Sequence, residues 1–113
     1  MHEYSIVHSL LGKVEAEAKR HGAASVERVR VVIGELSGVE VGLLATAFEL
    51  AREGTICSGA ELEVVRVPVR WVCRECAREI DRDGRLVCGV CGGRARLASG
   101  DEILLERLEM EVA

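Results

Sequence analysis

The segment Cys73-Arg-Glu-Cys76, followed after eleven residues by Cys88-Gly-Val-Cys91, decides how this 113-residue chain is organised. Four of the five cysteines lie in it, and Gly84, Gly89, Gly92 and Gly93 supply turns around the second pair. A CxxC pair directs two thiolates from one tight turn toward one centre. Two such turns, joined by a short hairpin, make a tetrahedral four-thiolate cage of the kind Zn²⁺ prefers. A lone CxxC also suits a redox disulfide, and iron accepts thiolates too. No secretory leader opens the sequence, so the expected compartment is reducing and structural disulfides are disfavoured. The βαβ setting of a thiol–redox CxxC is also missing. A closed four-thiolate site is structural by default, because catalytic zinc keeps an open position.

Composition narrows the function classes. The net charge is −4, and Tyr4, Phe48 and Trp71 are the only aromatic residues. Base-stacking platforms for single-stranded nucleic acid are therefore not expected. Seven arginines and four acids lie between Arg70 and Arg96, and four zinc-bound thiolates bring that segment to about +1. The rest of the chain carries −7. An acidic body with a nearly neutral zinc knob is a poor phosphate binder and a better partner for metals or proteins. No apolar run approaches the ~18–20 residues of a membrane span.

Working outward from the cysteines, Pro68 cannot sit in a central ladder and marks where the body gives way to the module. Ser99-Gly100-Asp101 marks the return. The body is then residues 1–68 with 101–113 as its last strand, and the zinc module is 69–100. Within the body, Ile6, Val7, Leu10, Leu11, Val14 and Ala18 recur at helical spacing over Ser5–His21. Ser5 is the expected N-cap and Gly22 the C-terminal stop. Gly12 is an internal flaw, explicable by close packing. Val29, Val31 and Ile33 alternate in a strand over Ser25–Glu35. Ser37-x-x-Glu40 has the form of a capping box for a second helix, with Val41, Leu44, Ala47, Phe48 and Ala51 as its stripe and Gly54 as its end. The extended stretch Ala60–Val72 changes phase between Leu62/Val64 and Val65/Val67/Val69/Trp71, which predicts a bulge or a change of buried face. Ile103–Val112 is the last strand. The expected fold is α+β: two helices packed on a three-stranded sheet, with a zinc-ribbon-like four-cysteine module inserted between the second and third strands.

The second candidate site is the start of the chain, Met1-His2-Glu3. A terminal amine, the backbone nitrogens of His2 and Glu3, and the His2 imidazole form a tetragonal nitrogen set that favours Ni(II) or Cu(II) over Zn²⁺. Taken alone, a histidine at position 2 is far more often an incidental, frayed residue than a metal ligand. His8 reads as a surface residue, His21 as a cation at a helix C-terminus, Cys57 as a small buried residue, and Trp71 as packing beneath the knuckle. Glu40 reads as a cap, and Glu35 as a residue left for partner contact.

Several segments together resemble one family. Met1-His2-Glu3-Tyr4-Ser5, Val32-Ile33-Gly34-Glu35-Leu36-Ser37-Gly38-Val39, Ala47-Phe48-Glu49, the two CxxC pairs and Leu108-Glu109-Met110-Glu111-Val112 occur in the order seen in the hydrogenase-maturation nickel chaperones, HypA/HybF. The resemblance covers essentially the whole chain. It implies a non-enzymatic, cytoplasmic metallochaperone that carries Ni(II) at Met1, His2 and Glu3 and holds Zn²⁺ at Cys73, Cys76, Cys88 and Cys91. It implies delivery to the [NiFe]-hydrogenase large-subunit precursor together with a HypB-type GTPase. Some relatives are thought to complete the nickel site with a histidine of the zinc module, and this module contains none. The fourth ligand is then the Met1 amine, a water or a partner residue. The chain is expected as a monomer or a weak or domain-swapped homodimer, with no nucleic-acid or membrane partner. A zinc-ribbon protein-interaction or nucleic-acid module without nickel transfer is the alternative.

Overall fold

Residues 2–112 are described by a computed structural model. The element order is α1 (Glu3–Arg20), β1 (Ala23–Gly34), α2 (Val41–Ala51), β2 (Glu61–Val67), β3 (Arg70–Cys73), β4 (Glu79–Ile80), β5 (Ala95–Ser99) and β6 (Ile103–Val112). Two three-stranded sheets result, β2-β1-β6 in the body and β4-β3-β5 around the cysteines. The α+β architecture with the four-cysteine insertion between the body's second and third strands is thus observed. Tandem packing of the two sheets gives an elongated molecule of 56 × 26 × 16 Å.

Helix α1 buries the face its sequence spacing defines: Val7, Leu10, Leu11, Val14 and Ala18. It starts two residues earlier than expected. His2, not Ser5, is the N-cap residue, and no side chain caps it. Glu3 in the first turn suits the positive end of the helix dipole, so the helix reaches past Ser5. Gly22 ends it at φ 64°, where a side chain would be strained. Gly12 is not at a close approach, since a Cβ there would meet nothing within 4 Å.

Strand β1 is central. It pairs in parallel with β2 and antiparallel with β6. The parallel partner follows from α2, because strands joined through a crossover helix return in the same direction. Val29, Val31 and Ile33 face the helices and join Leu44, Ala47 and Phe48 of α2 in the core. The phase change over 60–72 is not a bulge in β2, whose register with β1 runs unbroken from Glu61 to Val67. It is the change of sheet at Pro68: Leu62 and Val64 pack on the body's core, whereas Val69 and Val72 are buried on the way into the module. A register shift does occur within the stretch, between Arg70 and Trp71 where β3 pairs with β5, and others occur in the β1–β6 pairing.

The expected capping box does not form. Ser37 Oγ accepts the Val39 N–H at 3.2 Å, in a local turn, and Glu40 is an N-cap residue without a side-chain cap bond. The Glu40 N–H is satisfied from elsewhere, by the Glu3 carboxylate at 3.1 Å.

Body and module meet where three chain passages cross, at Gly34–Leu36, Val67–Val69 and Ser99–Glu102. The Gly34 N–H donates to the Glu102 carbonyl at 2.8 Å, the Glu35 N–H to the Val67 carbonyl at 2.9 Å, and the Leu36 N–H to the Gly100 carbonyl. A Cβ on Gly34 would lie 2.2 Å from the carbonyl carbon and oxygen of Gly100. Only glycine permits backbones this close.

Candidate metal centres

The two CxxC turns are built alike. In each, the first cysteine's carbonyl accepts an N–H from four residues on, from Ala77 and from Gly92, both at 3.0 Å. Each first cysteine in turn donates its N–H five residues on, to Arg78 and to Gly93, both at 2.8 Å. The residue after each pair is left-handed, Ala77 at φ 61° and Gly92 at φ 76°. This geometry turns both thiols of a pair to one side. Cys73 and Cys88 are buried, while Cys76 and Cys91 form an exposed rim.

The four Sγ atoms lie within 4.8 Å of one another. Cys73–Cys91 is 3.3 Å, Cys76–Cys88 3.6 Å and Cys76–Cys91 3.7 Å. A tetrahedral Zn²⁺ with bonds of ~2.3 Å needs sulfur–sulfur separations of ~3.8 Å. The cage therefore fits zinc with small adjustments, and its four soft donors suit that ion. Ionising all four thiols calls for a cation. The N–H groups of Cys91 and Val90 hold the Cys88 thiol down to about 6, and those of Cys76 and Glu75 lower Cys73. The Gly93 N–H acts in the same direction on Cys91, but the neighbouring Cys73, Cys76 and Cys88 sulfurs and burial outweigh it and push that thiol up to about 12. Four thiols this close cannot all ionise without a positive ion between them. Gly93 keeps the cage open, since a Cβ there would stand 2.7 Å from Cys73 Sγ.

At the start of α1, His2 is exposed, with φ −85° and ψ 93°, and its carbonyl accepts the Ile6 N–H at 3.2 Å. Glu3 follows as the first helical residue. Met1 lies outside the described residues. The Glu3 carboxyl is lowered by the Glu40 N–H it accepts, so this carboxylate ties α1 to α2. His2, Glu3 and Tyr4 border an open hollow with Leu43, Thr46, Ala47 and Leu50. Tyr4, Leu43 and Leu50 are large apolar side chains exposed there.

The other histidines are remote from the cysteine cage in role. Tyr4 and His8 stack edge-to-face at 4.7 Å, and His21 lies 3.7 Å from Glu17. Cys57 is fully buried, and burial pushes its thiol up to about 11. Such a thiol is inert rather than a ligand.

One residue the sequence left without a structural role has two. The Glu35 carboxylate accepts the Val69 N–H at 3.0 Å and a forked pair of bonds from Arg82, at 2.9 and 2.6 Å. Partner contact is not needed to explain it. Nothing in the local sequence announces this pairing, because Arg82 lies 47 residues away.

A model of the family described as hydrogenase/urease nickel incorporation metallochaperone, HypA, matches residues 1–110. The chain belongs to the HypA family. It is 39% identical to the hydrogenase maturation factor HypA of Paracoccus denitrificans, over 97% of this chain and 99% of that one. Identity to the Shewanella oneidensis HypA is 43%, covering 100% and 98%. Among solved structures, the nickel metallochaperone HypA from Helicobacter pylori superposes with a TM-score of 0.73 at 36% identity, each chain fully covered. A second HypA solution structure gives 0.80 at 36% identity, covering 100% of this chain and 98% of that one. HypA proteins are metallochaperones and maturation factors, and the four-cysteine cluster fits zinc in such a protein. Among the described residues no helix is long and apolar enough to cross a membrane.

Proposed function

We propose that this chain binds Ni(II) at Met1, His2 and Glu3 and passes it to the [NiFe]-hydrogenase large-subunit precursor, acting with a HypB-type GTPase in the cytoplasm. Zn²⁺ is held at Cys73, Cys76, Cys88 and Cys91. Residues 1–68 with 101–113 are the nickel-binding domain, and 69–100 the zinc module. The chain is not an enzyme: nickel transfer is ligand exchange, and the closed cage offers no open coordination position.

The observation that carries this reading is the position of His2 as an exposed helix N-cap without a side-chain cap bond. The N–H of Glu3 at the first helical position has no intrahelical acceptor, so its nitrogen is available to a metal. Deprotonated amide nitrogens are anionic, and the positive end of the α1 dipole favours them there. An imidazole and backbone nitrogens in one plane select Ni(II) over Zn²⁺. A terminal site is open on one side, as a site that surrenders its metal must be. Exposed Tyr4, Leu43 and Leu50 around it suit a protein partner rather than a nucleic acid. Arg82 and Arg70 of the module are paired to Glu35 and Glu79, which further weakens any case for phosphate binding.

The test is His2→Ala, followed by calorimetric titration with Ni(II) and metal analysis. One equivalent of nickel binding is expected to disappear while one zinc per chain remains. Unchanged nickel affinity overturns the site.

A further inference from the structure

Between the cysteine module and the nickel end runs the six-residue strap Glu35–Glu40. It is bonded at both ends and at most points between. At the module end, the Glu35 carboxylate holds the Val69 N–H at 3.0 Å and Arg82 through two bonds of 2.9 and 2.6 Å. The Leu36 N–H donates to the Gly100 carbonyl, and the Ser37 N–H to the Gly34 carbonyl at 3.1 Å. The Val39 N–H is taken by Ser37 Oγ at 3.2 Å. At the nickel end, the Glu40 N–H donates to the Glu3 carboxylate at 3.1 Å, and the Glu40 carbonyl opens α2 by accepting the Leu44 N–H at 2.9 Å. A strap without slack transmits a displacement of one end to the other.

We propose that Glu35 and Arg82 are positioning residues which fix the cysteine module on the body and, through the Glu35–Glu40 strap, set where Glu3, and with it His2, is held. The forked geometry is what makes the pair directional. A guanidinium meeting both oxygens of a carboxylate fixes distance and plane together, whereas a lysine fixes only a distance. The crossing beneath it is incompressible, since Gly34 and Gly100 are already in backbone contact. Displacement of Arg82 is therefore taken up along the strap. Linkage makes the effect reciprocal: whatever holds Glu3 at one end holds the module at the other. The nickel part of this inference rests on the reading of the terminus given above. The mechanical part does not.

Arg82→Ala and Arg82→Lys, both loaded with one zinc per chain, separate the two. By amide NMR without nickel, the Glu40 N–H is expected to exchange with water about threefold or more faster in Arg82→Ala, with Arg82→Lys intermediate. Equal exchange in wild type and Arg82→Ala overturns the proposal, whatever nickel does. In nickel titrations Arg82→Ala is expected to bind about three- to tenfold more weakly than wild type. A wild-type protein that binds no nickel defeats the site assignment and leaves the exchange result to decide the strap. Wild-type binding with an affinity unchanged in Arg82→Ala defeats the coupling to the metal.

Discussion

The carboxylate of Glu3 accepts the backbone N–H of Glu40 at 3.1 Å, across 37 residues of sequence. The bond satisfies a donor that α2 leaves free at its start and sets the first turn of α1 against it. One side chain thereby joins the beginnings of both helices beside the exposed His2. Glu3→Gln retains an acceptor and is expected to keep most of the nickel affinity. Glu3→Ala is expected to weaken it by about three- to tenfold, well short of the loss in His2→Ala, since it costs a positioning bond rather than a ligand. Titration of the three variants checks the order. Equal loss in Glu3→Ala and His2→Ala would mean that the carboxylate itself ligates.

Gly12 and Gly34 should respond oppositely to alanine. A Cβ at Gly12 enters open space on the middle of α1, so Gly12→Ala should stabilise the fold by about 0.5–1 kcal/mol through helix propensity. At Gly34 the same Cβ would stand 2.2 Å from the Gly100 backbone, and backbone cannot rotate aside. Gly34→Ala should cost about 3 kcal/mol or prevent folding. Denaturant melts of both variants test this. A neutral Gly34→Ala would show that the Gly34 and Gly100 backbones can separate at little cost.

Ala77 supplies a third backbone test. It holds φ 61°, a conformation that Gly92 occupies in the second turn without a side chain. Ala77→Gly relieves left-handed strain of about 1 kcal/mol and loses part of it to the freer unfolded chain. The net expectation is a small gain in thermal stability and slower release of zinc to a chelator. Faster release would show that the Ala77 methyl group packs usefully.

The Glu35 carboxyl is held down to about 2 by Arg82 and then by the Val69 N–H, from an ordinary value of 4.5. A depressed carboxyl contributes stability that is present in full above the ordinary value and lost as pH falls through the depressed one. The clasp should thus persist at about pH 4, where a free glutamate is already mostly protonated. The Glu35 carboxyl carbon is expected to show no titration between about pH 7 and 4 in wild type, and to begin titrating there in Arg82→Ala. Identical curves would remove Arg82 as the cause.

Metal removal should act on one sheet and spare the other. Four thiols within 4.8 Å of one another lose the cation that gathers them when a chelator strips the cage, and metal binding in such a module is coupled to its folding. The amide signals of β3, β4 and β5 are expected to collapse toward disordered positions, with those of α1, β1 and α2 largely unmoved, because their core of Val7, Val14, Val29, Leu44 and Phe48 contains no metal ligand. A metal-free chain with both sheets intact would show that the module folds on packing alone.

Much of this was legible in the chain because the signals are local. The α1 stripe, the alternation of Val29, Val31 and Ile33, the glycine stops and the sheet change at Pro68 all depend on neighbours within a few residues. The two CxxC turns are local too: each closes on hydrogen bonds four and five residues long. The order of MHE, GELSGV and the double CxxC sufficed for the family. Local reading failed where a long-range partner displaced a short-range one. The Ser37-x-x-Glu40 box did not form because Glu3 took the Glu40 N–H, and Ser5 lost the cap to His2 because the helix extended to place Glu3 there. Glu35 had no local account because its partners, Val69 and Arg82, come from the inserted module. Sequence by itself determined that the thiols of Cys73, Cys76, Cys88 and Cys91 converge, since residue type and spacing are written along the chain. Only the tertiary structure decided how the cysteine module is held on the body, since a carboxylate finds a guanidinium 47 residues away only after both sheets have formed.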